Sequence, residues 1–121
     1  MAITARDYYR LLVTAARDGT FPSFKDGKCL YRGPGNKRCA IGLLIPDDRY
    51  DPEDENISVK GLEYSLVDHI LPQGMIKDDL VCIQKLHDAY ASHWDEEKFI
   101  QKISELPCFI HLTETTSEVS L

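Results

Sequence analysis

Residues 28–52 read KCLYRGPGNKRCAIGLLIPDDRYDP, and this stretch decides the fold. Two short extended segments, 29–32 and 37–40, flank a Gly-Pro-Gly-Asn sequence at 33–36. That composition is typical of a turn between two antiparallel strands, so we expect one β-hairpin over residues 29–40. The apolar run that follows, from Ala40 to Ile45, ends at Pro46 and predicts a short buried helix, with Gly42 at a close approach.

The rest of the chain predicts about four helices packed around this stretch. Their expected ranges are 5–17, 59–71, 78–92 and a helix after Asp95, with Thr4, Ser58, Asp78 and Asp95 as N-caps. Apolar side chains at helical spacing in the first of them predict one buried stripe, formed by Tyr8, Leu11, Leu12 and Ala15. Residues 20–27 have the composition of a connector, and residues 108–112 that of a strand or docked tail.

The length of 121 residues is that of one domain with one hydrophobic core. We expect a mostly helical α+β fold, with a globular domain over residues 1–107 and a partly disordered tail over 108–121. The N-terminal sequence MAITARDYYR has no apolar segment of the signal-peptide type, and the apolar run at 40–46 is too short to span a bilayer. The expected location is therefore the cytoplasm, away from the membrane.

The charges of the chain are unevenly distributed. The net charge is −6, which disfavours non-specific binding to nucleic acid. Residues 25–38 nevertheless carry five basic side chains against one acid, whereas residues 47–55 carry six acids and only Arg49 as a base. A basic loop next to an acidic one indicates a binding site for a phosphorylated small molecule or a protein, with no cofactor. The expected contacts are Tyr31, Arg32, Lys37 and Arg38, facing a wall of Asp47, Asp48 and Tyr50.

Two other functions remain open at this stage. Cys39 lies where an extended segment enters a short helix, a position that lowers a thiol pKa, so it is a candidate nucleophile with His87 or His69 as base. His87 and Asp88 are adjacent in the chain and are expected to point apart. A structural zinc site is the third candidate; it would need Cys29 and Cys39 with distant partners, because the chain has no C-x2-C pair. Whether Cys29 and Cys39 are free, metal-bound or paired stays open.

The central stretch also resembles the signature of a family of small uncharacterised proteins from bacteriophages, prophages and mobile elements. The matching positions are Cys29, Tyr31-Arg32, Gly33 to Gly35, Cys39-Ala40, Gly42, Ile45-Pro46-Asp47 and Tyr50, together with Leu86-His87-Asp88 in a later helix. The resemblance covers residues 5–106. It implies a compact accessory protein acting inside a host cell, with counter-defence as one such role, and it implies no catalytic residue because the family has no established activity.

Overall fold

The computed structural model describes residues 3–25, 28–91 and 93–110, without the side chains of residues 24–29 and 56. Four helices dominate this part of the chain: α1 (Ala5–Asp18), α2 (Tyr64–Ile70), α3 (Lys77–Ala91) and α4 (Glu96–Ser104). Four strands of two residues each accompany them: β1 (Phe24–Lys25), β2 (Lys28–Cys29), β3 (Arg32–Gly33) and β4 (Lys37–Arg38). The predicted mostly helical α+β fold is confirmed.

Helix α1 begins and ends where local chemistry predicts. The Thr4 hydroxyl accepts the Asp7 N–H at 3.1 Å, the Asp7 carboxylate reaches back to the Thr4 N–H, and Gly19 closes the helix in the left-handed conformation. The buried stripe differs in one position: Leu11 is 41% exposed, and Ala16 is buried instead. The core therefore lies on a face of α1 rotated slightly away from the one predicted, which leaves Leu11 beside a groove described below.

The predicted hairpin is present and pairs Arg32 with Arg38 and Gly33 with Lys37 across the turn Pro34–Asn36. A second hairpin, β1 with β2, was not predicted; it pairs Phe24, in the region interpreted as a connector, with Cys29, which was expected in the first arm of the predicted hairpin. Cys29 therefore lies in the β1–β2 ladder, whereas Cys39 follows β4 outside any strand, so the two do not face each other across one hairpin. Both hairpins are joined to the segment after α1, because Leu30 N–H donates to Ser23 O and Arg38 N–H donates to Thr20 O.

The apolar run forms a short 3-10 helix, Gly42–Leu44, and confirms the close approach expected at Gly42. A Cβ atom at this position would lie 2.8 Å from the carbonyl carbon of Tyr31 and closer still to its oxygen. Glycine is required here because any larger residue would push the hairpin away from the core. Two more 3-10 turns, Asp47–Arg49 and Pro52–Asn56, then carry the acidic loop.

The second predicted helix is shorter than expected. Residues 59–71 split into a 3-10 turn, Val59–Gly61, and helix α2, because Leu62 and Glu63 are extended between them. Ser58 makes no side-chain capping bond. At α3 the capping carboxylate is that of Asp79, which accepts the Ile76 N–H at 2.9 Å, and not that of Asp78. At α4 the prediction holds, since Asp95 accepts the Lys98 N–H at 3.1 Å.

The core lies between α1, the 3-10 helix, α3 and α4, and extends past residue 107. Residues 107–110 form a helical turn, not a strand, and Phe109 is fully buried with its ring 6.2 Å from that of Tyr8 and 5.3 Å from that of Tyr9. The remainder of the predicted tail, 111–121, lies outside the described residues. None of the helices in the described part of the chain combines the length and apolarity needed to cross a membrane.

Candidate ligand-binding groove

One carboxylate holds the acidic loop against the basic hairpin. Glu55 Oε1 accepts the Tyr31 N–H at 2.7 Å, Oε2 accepts the Arg32 N–H at 3.0 Å, and the Tyr50 hydroxyl also donates to Oε2. Burial, followed by the hydrogen bond to this carboxylate, raises the pKa of Tyr50 to about 12. Sequence reasoning missed Glu55, because no local pattern distinguishes it from the neighbouring acids Glu53 and Asp54.

Tyr31 was predicted to contact a ligand, but its side chain is buried. Its hydroxyl donates to the Ile57 carbonyl, and burial raises the pKa of this phenol far above its usual value. Burial and the bond to Ile57 tie the hairpin to the end of the acidic loop. Tyr31 thus positions the loops relative to each other and presents no free polar group at the surface.

Arg32 is held by partners within the chain. Its Nη2 lies 2.7 Å from Asp47 Oδ1 and donates to the Ile45 carbonyl at 3.2 Å, while its guanidinium carbon lies 4.3 Å from the centre of the Tyr50 ring. Its Nε is buried and has no hydrogen-bond partner among the described residues. The expected wall residues Asp47 and Tyr50 therefore do face the hairpin, but they bind its arginine directly.

The tip of the hairpin does not form the expected cationic cradle. Lys37 Nζ folds back and donates to the Gly19 carbonyl. Arg38 is different, because its Nη2 lies 3.7 Å from Asp47 Oδ1, a separation too long for a good hydrogen bond. Asp48 is exposed and makes no hydrogen bond or ion pair among the described residues. Of the predicted basic contacts, Arg38 retains the most donor capacity.

Arg38 and Asp47 lie at the edge of a groove of about 450 Å³. Three segments far apart in the sequence form it: the start and middle of α1, the residues around the 3-10 helix, and the end of α2. Seven of its ten lining residues are apolar, namely Ile3, Leu11, Leu43, Leu44, Ile45, Pro46 and Ile70; the other three are Arg38, Asp47 and His69. The groove was not predicted, since no sequence pattern indicates that these segments meet.

The candidate nucleophile Cys39 is a packed thiol. It is 1% exposed, its sulfur accepts the Gly42 N–H at 3.3 Å, and burial raises its pKa to about 12. The thiolate is the reactive form, so these features oppose nucleophilic chemistry at neutral pH. The short helix after Cys39 does not lower this pKa, because burial outweighs the hydrogen bonds from its first N–H groups.

The candidate base His87 is a buried residue with partners on both nitrogens. Its Nε2 accepts the Ser23 N–H at 3.1 Å, and its Nδ1 lies 3.1 Å from Asp88 Oδ1. The expectation that adjacent His87 and Asp88 point apart was wrong, because the carboxylate of Asp88 folds back toward the imidazole. His87 joins α3 to the segment after α1 and leaves no ring nitrogen for a substrate.

Within the described residues, no group of three or more His, Cys, Asp and Glu side chains is placed to hold a metal ion. Cys39, Cys82 and Cys108 are free thiols, with Cys39 buried and Cys82 exposed. The side chain of Cys29 lies outside the described residues, so the zinc hypothesis that included it stays a prediction.

In comparisons with known proteins, the chain matches no family model, no curated protein and no solved structure. The resemblance to small phage and mobile-element proteins therefore stays an expectation from the central motif.

Proposed function

We propose that this chain is a non-enzymatic binding module whose ligand lies in the groove beside Arg38. The ligand would be a small molecule with an apolar body and one anionic group, a phosphate or a carboxylate. The observation that carries the proposal is the place of Arg38 at the edge of an apolar groove with only a 3.7 Å contact to Asp47. A planar guanidinium with free donors is well suited to bind such an anion.

The charges around the groove favour an anion. Asp47 is already neutralised by Arg32 at 2.7 Å, so the two arginines and one aspartate leave one positive charge in this cluster. His69 also lines the groove, and its ring N–H is a hydrogen-bond donor for such an anion. Asp47 therefore orients Arg38 but does not compete strongly with a ligand anion for its guanidinium group.

The size and lining of the groove favour a small molecule. Its volume of about 450 Å³ lies in the range of roughly 300–1,000 Å³ that is usual for small-molecule sites. Such sites combine apolar surface with a few polar groups that fix the orientation of the ligand, and this groove offers both, with seven apolar lining residues and three polar ones. The apolar run and α1 would bind the body of the ligand, and Arg38 its anionic end.

The biological setting follows from the resemblance and from the sequence. A small phage or mobile-element protein with such a groove would act in the host cytoplasm by sequestering a phosphorylated metabolite or signal, as an accessory or counter-defence factor. The packed state of Cys39 and His87 supports a binding role over a catalytic one.

Native mass spectrometry of protein purified gently from its expression host tests this proposal. We expect an additional mass on the folded chain that is lost on denaturation and reduced in the Arg38→Gln variant. Arg49→Gln is the matched control, because it removes the same charge two residues from Asp47 at a position that does not line the groove. Retention of the same mass by Arg38→Gln would contradict the proposal.

A further inference from the structure

A second groove shares no lining residue with the first. It has a volume of about 270 Å³ and runs between the 3-10 turn Val59–Gly61 and helix α3. Val59 and Val81 supply its apolar surface, and its polar lining comprises Ser58, Lys60, Gln84, Lys85 and Asp88. We propose that this groove docks an acidic peptide segment of a partner protein through an apolar side chain flanked by carboxylates.

Helical geometry gathers three lysines around this groove. Lys77, Val81 and Lys85 are spaced four residues apart in α3 and so lie on one face of the helix. Lys77 Nζ donates to the Lys60 carbonyl at 2.8 Å, which places its ammonium group beside the 3-10 turn. Lys60 and Lys85 are exposed, and both line the groove.

The local charge is opposite in sign to that of the whole chain. The groove lining carries the ammonium groups of Lys60 and Lys85 against one carboxylate, in a protein of net charge −6, and Lys77 lies beside it. That carboxylate, Asp88, already accepts Gln84 Nε2 at 2.8 Å and lies 3.1 Å from His87 Nδ1. The positive charge of the lysines therefore attracts an acidic partner and repels a basic one.

The size of the groove suits a peptide. Its volume of about 270 Å³ lies near the lower limit of roughly 300 Å³ for small-molecule sites and is enough for one or two side chains. Apolar side chains continue beside the lysines: Ile76, next to Lys77, is 61% exposed, and Ile57, against Gly61, is 38% exposed. An apolar centre with a charged rim is the usual arrangement of a protein interface.

Selection from a library of random short peptides, with the full-length chain as bait at low salt, is the first test. We expect enrichment of sequences with acidic residues on both sides of a Leu, Ile, Val or Phe. Enrichment of basic sequences, or no enrichment over a bait-free control, would overturn the proposal.

Fluorescence anisotropy with the best selected peptide then locates the site. The Lys60→Glu/Lys85→Glu variant should bind about tenfold more weakly or worse, because two attractions become repulsions. Lys98→Glu/Lys102→Glu, on the exposed side of α4, makes the same change in net charge and should bind like the natural chain. Equal binding by both double variants would place the peptide elsewhere and refute the docking site.

Two further controls keep the result unambiguous. Since Lys60 and Lys85 are exposed, both double variants should unfold at temperatures close to that of the natural chain, and circular dichroism checks this. Arg38→Gln should leave peptide binding unchanged. Peptide docking at this groove is therefore tested separately from ligand binding in the first groove.

Discussion

Arg32 Nη2 lies 2.7 Å from Asp47 Oδ1, and this contact determines what the neighbouring arginine can do. Because Arg32 neutralises the carboxylate, Arg38 at 3.7 Å is left without a close partner at the edge of the groove. The opposed charges of the two loops therefore serve mainly to join the loops. The donor capacity that remains for a ligand is concentrated in Arg38.

Glu55→Gln should destabilise the fold. The carboxylate accepts two backbone N–H groups and the Tyr50 hydroxyl, and an amide has only one oxygen to accept them. Losing charge-assisted hydrogen bonds of this kind lowers the free energy of unfolding by about 2 kcal/mol. Urea denaturation followed by circular dichroism measures the change. Glu53→Gln, an exposed acid in the same turn, is the control and should behave like the natural chain; equal stability of both variants would refute the role of Glu55.

Gly42→Ala should be more damaging still. The added methyl group would overlap the backbone carbonyl group of Tyr31. Because a backbone group cannot turn away as a side chain can, the hairpin has to move. We expect a loss of about 3 kcal/mol or more in the free energy of unfolding, seen as a lower thermal midpoint or an insoluble protein. Gly61→Ala is the matched control, because its added methyl meets only a side-chain atom, Ile57 Cγ2 at 2.9 Å, and no backbone. A natural melting temperature for Gly42→Ala would contradict the close packing described here.

The thiols should differ widely in reactivity. With iodoacetamide at neutral pH, exposed Cys82 should be alkylated well before buried Cys39, which should react only when the chain unfolds. Peptide mapping after timed quenching assigns each modified residue. Rapid alkylation of Cys39 in the folded protein would revive the hypothesis of a cysteine-dependent enzyme.

Burial of Cys39 also predicts a loss of stability at alkaline pH. Its folded pKa of about 12 is higher than that of an unfolded thiol, so the unfolded state releases its proton first. The stabilisation is complete below about pH 8.5 and falls by about 1.4 kcal/mol per pH unit above it, to a loss of about 2 kcal/mol at pH 10. The difference in unfolding free energy between the natural chain and Cys39→Ala should shrink accordingly between pH 7 and pH 10. An unchanged difference would show that Cys39 ionises freely in the folded state.

Local signals in the sequence predicted much of the fold. Thr4 and Asp95 mark helix starts because their capping bonds involve residues within one turn, and Gly19 marks a helix end because its left-handed backbone favours glycine. Gly42 was predicted from the apolar run that surrounds it. The exposed position of Leu11 could not be predicted, because helical spacing gives the faces of α1 but not which neighbour covers each one.

The candidate site was less predictable than the fold. Glu55 contacts Tyr31 and Arg32, which lie 24 and 23 positions earlier in the chain. Its role therefore depends on how the acidic loop returns to the hairpin. The break before α2 falls directly after Gly61, at Leu62, whose backbone is extended. The groove joins α1, the 3-10 helix and α2, so only the folded chain brings Arg38 and His69 to one surface.

An NMR titration of the ¹⁵N-labelled chain with phenyl phosphate tests the central claim most directly. This probe has the apolar body and the anionic group that the first groove is expected to bind. We predict chemical-shift changes at the backbone amides of Arg38, Leu43, Leu44 and His69, and a clear weakening of these changes in Arg38→Gln. No shift changes at these amides, or changes confined to the hairpin turn at 34–36 and unaltered in Arg38→Gln, would contradict the account.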